Sequence, residues 1–309
     1  MRILIELPTW LGDTVMTTPA IENLVNYYDE SEVILIGSFI SIEALKNHPR
    51  ISNTYVIRKK YIPLYKISKK LGQFDIFFSF RSSFRSKFLK LLISSNKKFQ
   101  FDRHKYQNRH QVEQYNDFVK DNLNTNFHPG RLIVHPSLKQ TDKNPKPILG
   151  INPGASYGDS KRWYPEEFAK VATELSHKFD ILIFGDVDEK NIATDIEKLL
   201  IENNVSNYQN LVTRTSVEEL IYHISTLDMF VTGDSGPMHV AAAFQVPTVA
   251  IFGPTKDTET SQWMNDKGAI VKKDLDCQPC MKRQCPLKHH NCMKLVKAGE
   301  VLSAVKSLN

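Results

Sequence analysis

Short apolar runs alternate along this chain with stretches whose apolar residues recur every three to four positions, and the alternation begins at the first residue. Runs at 3–7, 33–36, 54–57 and 75–79 have the length and the β-branched or aromatic content of buried strands, with helical spacing between them and after the last. A second series has strands at 148–152, 180–184, 210–212, 229–231 and 248–252. Its helices start near Tyr164, Asp188, Ser216 and Gly236, and a last helix runs from about Gly299 to the end. Strands alternating with helices pair in parallel, because each crossover returns the chain to the same end of the sheet. Between the two series, 127–147 carries Pro129, Gly130, Pro136, Pro145 and Pro147 among polar residues, the composition of a connecting segment. The expectation is an α/β protein of two Rossmann-like domains, 1–146 and 147–309, facing one another across a cleft. The C-terminal helix is free to pack back on the first domain.

Composition narrows the class. A chain of 309 residues can bury two cores, and 41% hydrophobic with 24% charged residues is the balance of a soluble globular protein. No apolar run approaches the roughly 18 residues that span a bilayer. Glu6 and Pro8 interrupt the N-terminal run before a signal-peptide core forms, so a cytoplasmic location is expected. The net charge of +6 is unevenly spread: from Arg58 to Lys105, fourteen Lys or Arg stand against Asp75 and Asp102 alone, which leaves the rest of the chain net negative. Such a stretch calls for an anionic partner. Tyr61, Tyr65, Phe77, Phe78, Phe80, Phe84 and Phe88 are interleaved with the cations, a mixture that suits nucleic acid, a membrane surface or a phosphorylated amphiphile.

The candidate chemistry lies in turns that follow strands, where ligands bind in parallel sheets. In Val231-Thr-Gly-Asp-Ser-Gly-Pro-Met-His239 a buried strand turns into an apolar helix. Ser235 suits the N-cap, Gly236 lets backbone approach a ligand, and Pro237 fits the first turn. The free N–H groups there, including that of Met238, and the positive end of the helix dipole form a seat for phosphate, to which His239 can add a donor or a charge. Asp234 would repel phosphate and so accepts from sugar hydroxyls or backbone; the bland alternative is a capped strand-to-helix turn. Leu7-Pro-Thr-Trp-Leu-Gly-Asp-Thr-Val-Met16 sets Gly12 and Asp13 at the first such turn, with Asp13 either an N-cap or a general base. Asn152-Pro-Gly-Ala-Ser-Tyr-Gly-Asp-Ser-Lys-Arg-Trp163 offers Ser156 and Ser160 hydroxyls and the cations Lys161 and Arg162, groups suited to a diphosphate. After the next strand, Asp188 or Glu189 either holds ribose hydroxyls or caps a helix.

Cys277, Cys280, Cys285 and Cys292 are spaced C-x2-C-x4-C-x6-C. In a cytoplasmic protein such a cluster points to a metal before disulfides, and four thiolates close a structural zinc site with no position left for catalysis. Reduced thiols packing a loop, or His289 or His290 replacing one ligand, fit the spacing as well. Gly233-Asp-Ser-Gly236 has the wording of a chymotrypsin-like nucleophile segment, but a strand-helix alternation is the wrong fold for it.

The turns at Pro8–Ala20, Asn152–Trp163 and Gly233–Ala243, in this order, resemble glycosyltransferase family 9. The resemblance implies a GT-B fold and transfer of L-glycero-D-manno-heptose from an ADP-heptose donor to the first heptose of the lipopolysaccharide inner core, with inversion and without a catalytic metal. It makes Asp13 the base that deprotonates the acceptor. Ser156, Lys161 and the segment Ser235, Gly236, Pro237, Met238, His239 become donor-side groups that neutralise the departing ADP, Gly12 a further donor contact, while Asp234 and Glu189 hold donor hydroxyls. Arg81 and Arg85 become contacts for a phosphorylated lipid A-core acceptor at the inner face of the membrane. The 99–102 turn, Phe-Gln-Phe-Asp, departs from the family's pattern. Readings held beside this one are a family 9 transferase with another acceptor or donor sugar, a nucleotide-sugar epimerase, and an RNA-binding module with a zinc knuckle; under the transferase reading no nucleic acid is expected.

Overall fold

A computed structural model of the chain describes residues 1–57, 61–137 and 145–308. Arg58, Lys59 and Lys60 of the basic stretch, the Tyr61 side chain and 138–144 of the connecting segment lie outside the described residues. The chain divides into two compact units, Met1–Ser137 and Leu138–Asn309. The division falls inside the proline-rich segment, nine residues before the one expected at 146/147.

In the first unit β1 (Arg2–Glu6) leads through α1 (Leu11–Met16) and α2 (Thr18–Tyr27) to β2 (Glu32–Gly37). Then come α3 (Phe39–Leu45), β3 (Ile51–Val56), α4 (Tyr61–Leu71), β4 (Gln73–Ser79), α5 (Phe84–Leu92), β5 (Ser94–Gln100) and α6 (Gln111–Leu123). The strands pair in parallel in the order β3-β2-β1-β4-β5. Central β1 is apolar on both faces, with Ile3, Leu4 and Ile5 buried, because crossover helices cover both sides of a parallel sheet. Leu64 and Leu71 of α4 and Leu89 of α5 pack over one face with Phe74, Phe77 and Ile93. Helices that follow β1 and β2 cover the other face, as right-handed crossovers require. The strand order reverses between β1 and β4, so the loops leaving these two strands part there.

The second unit runs β6 (Ile148–Asn152), α7 (Pro165–Leu175), β7 (Asp180–Ile183), α8 (Lys190–Glu202), β8 (Tyr208–Asn210), α9 (Val217–Ser225) and β9 (Met229–Gly233). It continues with α10 (Gly236–Ala243), β10 (Thr248–Ile251), α11 (Asp257–Thr260), β11 (Gly268–Val271), α12 (Asn291–Lys294) and α13 (Ala298–Ser307). This sheet is also parallel, in the order β11-β10-β9-β6-β7-β8, and it reverses between β6 and β9. The last helix, which the sequence left free to reach back to the first domain, packs within the second unit. Ala298, Val301 and Val305 join the core formed by Ile151, Trp163, Phe168 and Val171. Glu167 of α7 fixes its start, accepting from the Ala298 N–H at 2.8 Å and from Lys297 Nζ at 3.3 Å.

Two strands escaped the sequence pattern, and both are outermost in their sheets. β5 reads Ser-Ser-Asn-Lys-Lys-Phe-Gln and β11 is only four residues long. Edge strands keep one side open and are often polar or short, so they carry no apolar run to detect. Among the described residues no helix is long and apolar enough to cross a membrane.

Candidate active site

Each sheet presents its polar groups at its own reversal point. In the second unit the last rung between β6 and β9 pairs Asn152 with Thr232. The Asn152 amide donates to Thr232 Oγ1 and Ser235 Oγ, both at 3.2 Å, and to the Gly154 carbonyl at 3.3 Å. Ser235 occupies the N-cap position of α10, yet its hydroxyl turns to Asn152 and Thr232 and does not cap the helix. The first-turn N–H groups of α10 therefore have no side-chain cap, with Pro237 placed where an N–H is dispensable. The Met238 side chain is core, packed with Ala250 and Phe252, so only its backbone faces the seat. His239 is buried as well.

Lys161 arrives beside this seat on the loop after β6. Its Nζ lies 2.5 Å from Asp234 Oδ2 and 4.7 Å above the Tyr157 ring. Asp234 is buried, and among the described residues its carboxylate receives every hydrogen bond at Oδ2, from Lys161 and from Thr255 at 2.6 Å, with Thr260 at 3.5 Å. The aspartate thus holds the lysine in place through one oxygen. Ser156 is exposed on the same loop. Glu189 is buried under Gly154: a Cβ at that glycine would come within 2.6 Å of the Glu189 carboxyl. Its two oxygens take the Asp186 N–H at 2.9 Å and Arg162 Nη2 at 3.1 Å, an arrangement that closes a capping box ahead of α8.

The Cys-rich segment braces this loop from behind. The Ser160 hydroxyl donates to the Lys282 carbonyl at 2.5 Å, the Ser160 N–H to the Arg283 carbonyl at 3.2 Å, and the Tyr157 hydroxyl to the Met281 carbonyl at 2.8 Å. His290 Nε2 lies 2.9 Å from the Ser160 carbonyl and so carries the ring proton, leaving Nδ1 to accept from Tyr164 at 3.1 Å. Gly158, at φ +149°, lies so close that a Cβ would meet the Arg283 carbonyl at 2.5 Å, and only glycine fits. All four cysteines line one cavity of about 20 Å³, room for a single small occupant. Burial and the neighbouring thiols push the Cys292 thiol up to about 11. The one trio of His, Cys, Asp or Glu ligand atoms within 4.8 Å of one another among the described residues lies elsewhere, at Glu22, His48 and His135. The sulfurs thus ring their cavity more widely than the bonds of about 2.3 Å in a zinc tetrathiolate would hold them. In the other trio, His48 Nδ1 accepts the Arg50 N–H at 3.1 Å, so its Nε2 proton points to Glu22 at 2.5 Å. That is a hydrogen-bonded strut.

In the first unit Asp13 is the third residue of α1, inside the helix and past the N-cap position, with Gly12 buried before it. A carboxylate there is favoured by the helix dipole. The buried Tyr115 phenol is pushed well above its usual range, first by burial and then by the negative charge of Asp13, while Arg103 and Arg81 pull the other way. These groups therefore share one electrostatic neighbourhood. Across the reversal point, the last rung of β1 and β4 pairs Glu6 with Ser79. Glu6 is fully buried; its oxygens accept from Ser79 at 2.6 Å and Ser86 at 3.0 Å, with Arg81 Nη1 at 3.7 Å. Burial raises the Glu6 carboxyl above the usual range, against the lowering effect of Ser79, Arg81, Ser86 and Arg85. Gln100 fixes the Arg81 carbonyl at 3.0 Å.

Each unit thus gathers polar side chains at the reversal point of its sheet, a carboxylate with hydroxyls and an arginine in the first and a lysine beside an uncapped helix start in the second. Residues 65–291 match the model of glycosyltransferase family 9, the heptosyltransferases. The chain belongs to this family. It is 42% identical to lipooligosaccharide heptosyltransferase 2 of Campylobacter jejuni subsp. jejuni serotype O:2, across all of this chain and 98% of that protein. Among solved structures, a family 9 glycosyltransferase from Veillonella parvula superposes with a TM-score of 0.83 at 19% identity, covering 99% of this chain and 96% of that one. The ADP-heptose LPS heptosyltransferase II of Escherichia coli gives 0.80 at 21%, covering 100% and 98%. The two parallel sheets of this family 9 chain are those of a GT-B glycosyltransferase.

Sequence reasoning missed three groups. Glu6 was visible as a lone carboxylate in the apolar run Ile3-Leu4-Ile5-Glu6-Leu7, a signal that counted only against a signal peptide. Thr255 follows β10 by four residues, and nothing local marks it as a partner for Asp234. Arg103 lies in the same basic stretch as Arg81 without a motif of its own.

Proposed function

We propose that this family 9 glycosyltransferase moves L-glycero-D-manno-heptose from ADP-heptose to the first heptose of a lipopolysaccharide or lipooligosaccharide inner core, with inversion and without a catalytic metal. The observation that carries the donor half is Lys161, held by Asp234 beside the uncapped start of α10. A fixed cation and oriented N–H groups can take up the charge of a departing diphosphate, which is the task a divalent ion performs elsewhere. The relative named heptosyltransferase 2, 42% identical over the full chain, supports the choice of sugar and acceptor.

In this mechanism Asp13 removes the proton from an acceptor hydroxyl as its oxygen attacks the anomeric carbon. The bond from that carbon to the ADP oxygen breaks on the opposite face, and ADP leaves toward Lys161, Ser156 and the α10 N-terminus. Asp234 offers Oδ1 to a donor hydroxyl while Oδ2 keeps Lys161 in place. Glu189 acts on the ribose only by exchanging its bond to Arg162, and otherwise shapes the loop at Gly154. Arg81 and Arg85 meet a phosphorylated glycolipid acceptor at the inner face of the membrane.

The deciding experiment supplies ADP-L-glycero-β-D-manno-heptose and a core glycolipid truncated after its first heptose, with excess EDTA, and follows acceptor mass and ADP release. Gain of one heptose, with kcat falling about 10²- to 10⁴-fold in Asp13→Ala, is expected. Extension only of the acceptor that lacks heptose would reassign the step to the first heptose; activity abolished by EDTA and restored by Mg²⁺ or Mn²⁺ but not by zinc would overturn the metal-free mechanism. At the Cys cluster we propose one zinc ion as a structural strap that draws Cys277, Cys280, Cys285 and Cys292 inward behind the donor loop. Elemental analysis should find about one zinc per chain, lost in Cys280→Ser with Cys285→Ser; purified protein with active transfer and no bound metal would refute it.

A further inference from the structure

α4 and α5 form the outer layer over one face of the first sheet, and each turns large apolar side chains away from the core. In α5 the buried positions are Ser86 and Leu89, whereas Phe84, Lys87 and Leu91, spaced three and four apart, share the opposite side. Phe84 and Leu91 are 78% and 77% exposed. In α4, Leu64 and Leu71 face the core, while Ile62 and Tyr65 are 73% and 51% exposed. Four such residues on two helices that touch exceed the single exposed apolar residues normal on a surface. Cations accompany them: Lys66, Lys69 and Lys70 are exposed on α4, and Lys69 Nζ stands 5.7 Å over the Tyr65 ring. From Ile62 to Phe101 the sequence has one acidic residue, Asp75, and its carboxylate receives the Arg2 N–H at 2.8 Å at the start of the sheet.

The two features together select the partner. A nucleic acid would engage the lysines and leave Ile62, Phe84 and Leu91 in water. A bilayer with anionic headgroups meets both, taking apolar side chains into the acyl boundary and lysines among the phosphates. We propose that the outer face of α4 and α5 docks this protein on an anionic lipid bilayer. Phe84 stands three residues after Arg81 and one before Arg85, so the docked face adjoins the arginines assigned to the acceptor. The proposal deepens the glycolipid reading given above, and on it the acceptor is approached from the membrane that carries it.

The test is cosedimentation of the full chain with vesicles of phosphatidylethanolamine and phosphatidylglycerol, against neutral phosphatidylcholine, at low and high salt. Binding to the anionic vesicles should be stronger by about tenfold or more and should fall with salt. Phe84→Ser with Leu91→Ser, and separately Lys66→Glu with Lys69→Glu, should each weaken it about tenfold or more, with melting temperatures unchanged and with wild-type transfer to a soluble core oligosaccharide free of acyl chains. Equal binding to both vesicle types, or variants that bind as wild type does, would overturn the proposal. So would a chain that ignores vesicles and runs as a dimer broken by Phe84→Ser with Leu91→Ser, which gives the face to a second copy. If the vesicle results hold and no heptose reaches the soluble acceptor, the docking face stands and the transfer reading falls.

Discussion

Glu6 shows how one buried side chain can link stability to a site. It ends the central strand of the first sheet, and its carboxylate accepts from Ser79 and Ser86 and stands 3.7 Å from the Arg81 guanidinium. Burial raises its folded-state pKa, so ionised Glu6 works against folding. The stability this group contributes is present below its unfolded pKa and lost as pH rises through the higher folded one. Glu6→Gln keeps an acceptor and removes the charge, so its melting temperature relative to wild type should improve between pH 4.5 and pH 7. A pH-independent difference would mean that Glu6 titrates alike in both states. The variant should also raise KM for the acceptor more than it lowers kcat, because Arg81 loses its anionic anchor and Asp13 is untouched.

Among the elements, α13 shows the opposite sign. The sequence placed this helix almost to the residue and left its docking open, and Glu167 on α7 decides it by capping the start at Ala298. Burial alone would raise the Glu167 carboxyl, but the Ala298 N–H and the Lys297 and Lys170 charges outweigh it and hold it below the usual range. A depressed folded pKa gives stability that is present above the unfolded pKa and lost as pH falls through the folded one. Glu167→Ala should therefore cost about 1.5–3 kcal/mol at pH 7 by denaturant titration, with the difference from wild type shrinking below about pH 4. A cost that persists unchanged at pH 3 would assign the effect to packing. Elements with two covered faces, such as β1 and β9, were legible because an apolar run records burial. Polar β5 and four-residue β11 left no such record at their sheet edges.

At the scale of the whole molecule, two parallel sheets each reverse once, and each reversal is bordered by a polar last rung, Glu6 with Ser79 and Asn152 with Thr232. Apart from Gly12, the groups assigned to the donor belong to the second unit. ADP alone should thus slow amide exchange first in the segments around Ser156 to Lys161 and Gly233 to His239; protection centred on α1 would remove the donor assignment. The alternation of apolar runs determined the α/β class and the two units, because burial against helices on both faces demands it of every central strand. Turn chemistry marked Asp13, Lys161 and Ser235, because each follows a strand whose end is fixed by that alternation. Tertiary structure alone decided what those residues touch. Lys161 and Asp234 are 73 positions apart, as are Glu6 and Ser79, and they meet because strands distant in the chain are neighbours at the reversal points. Hydrophobic periodicity encodes which face of an element is covered; it carries no label for which strand stands beside it.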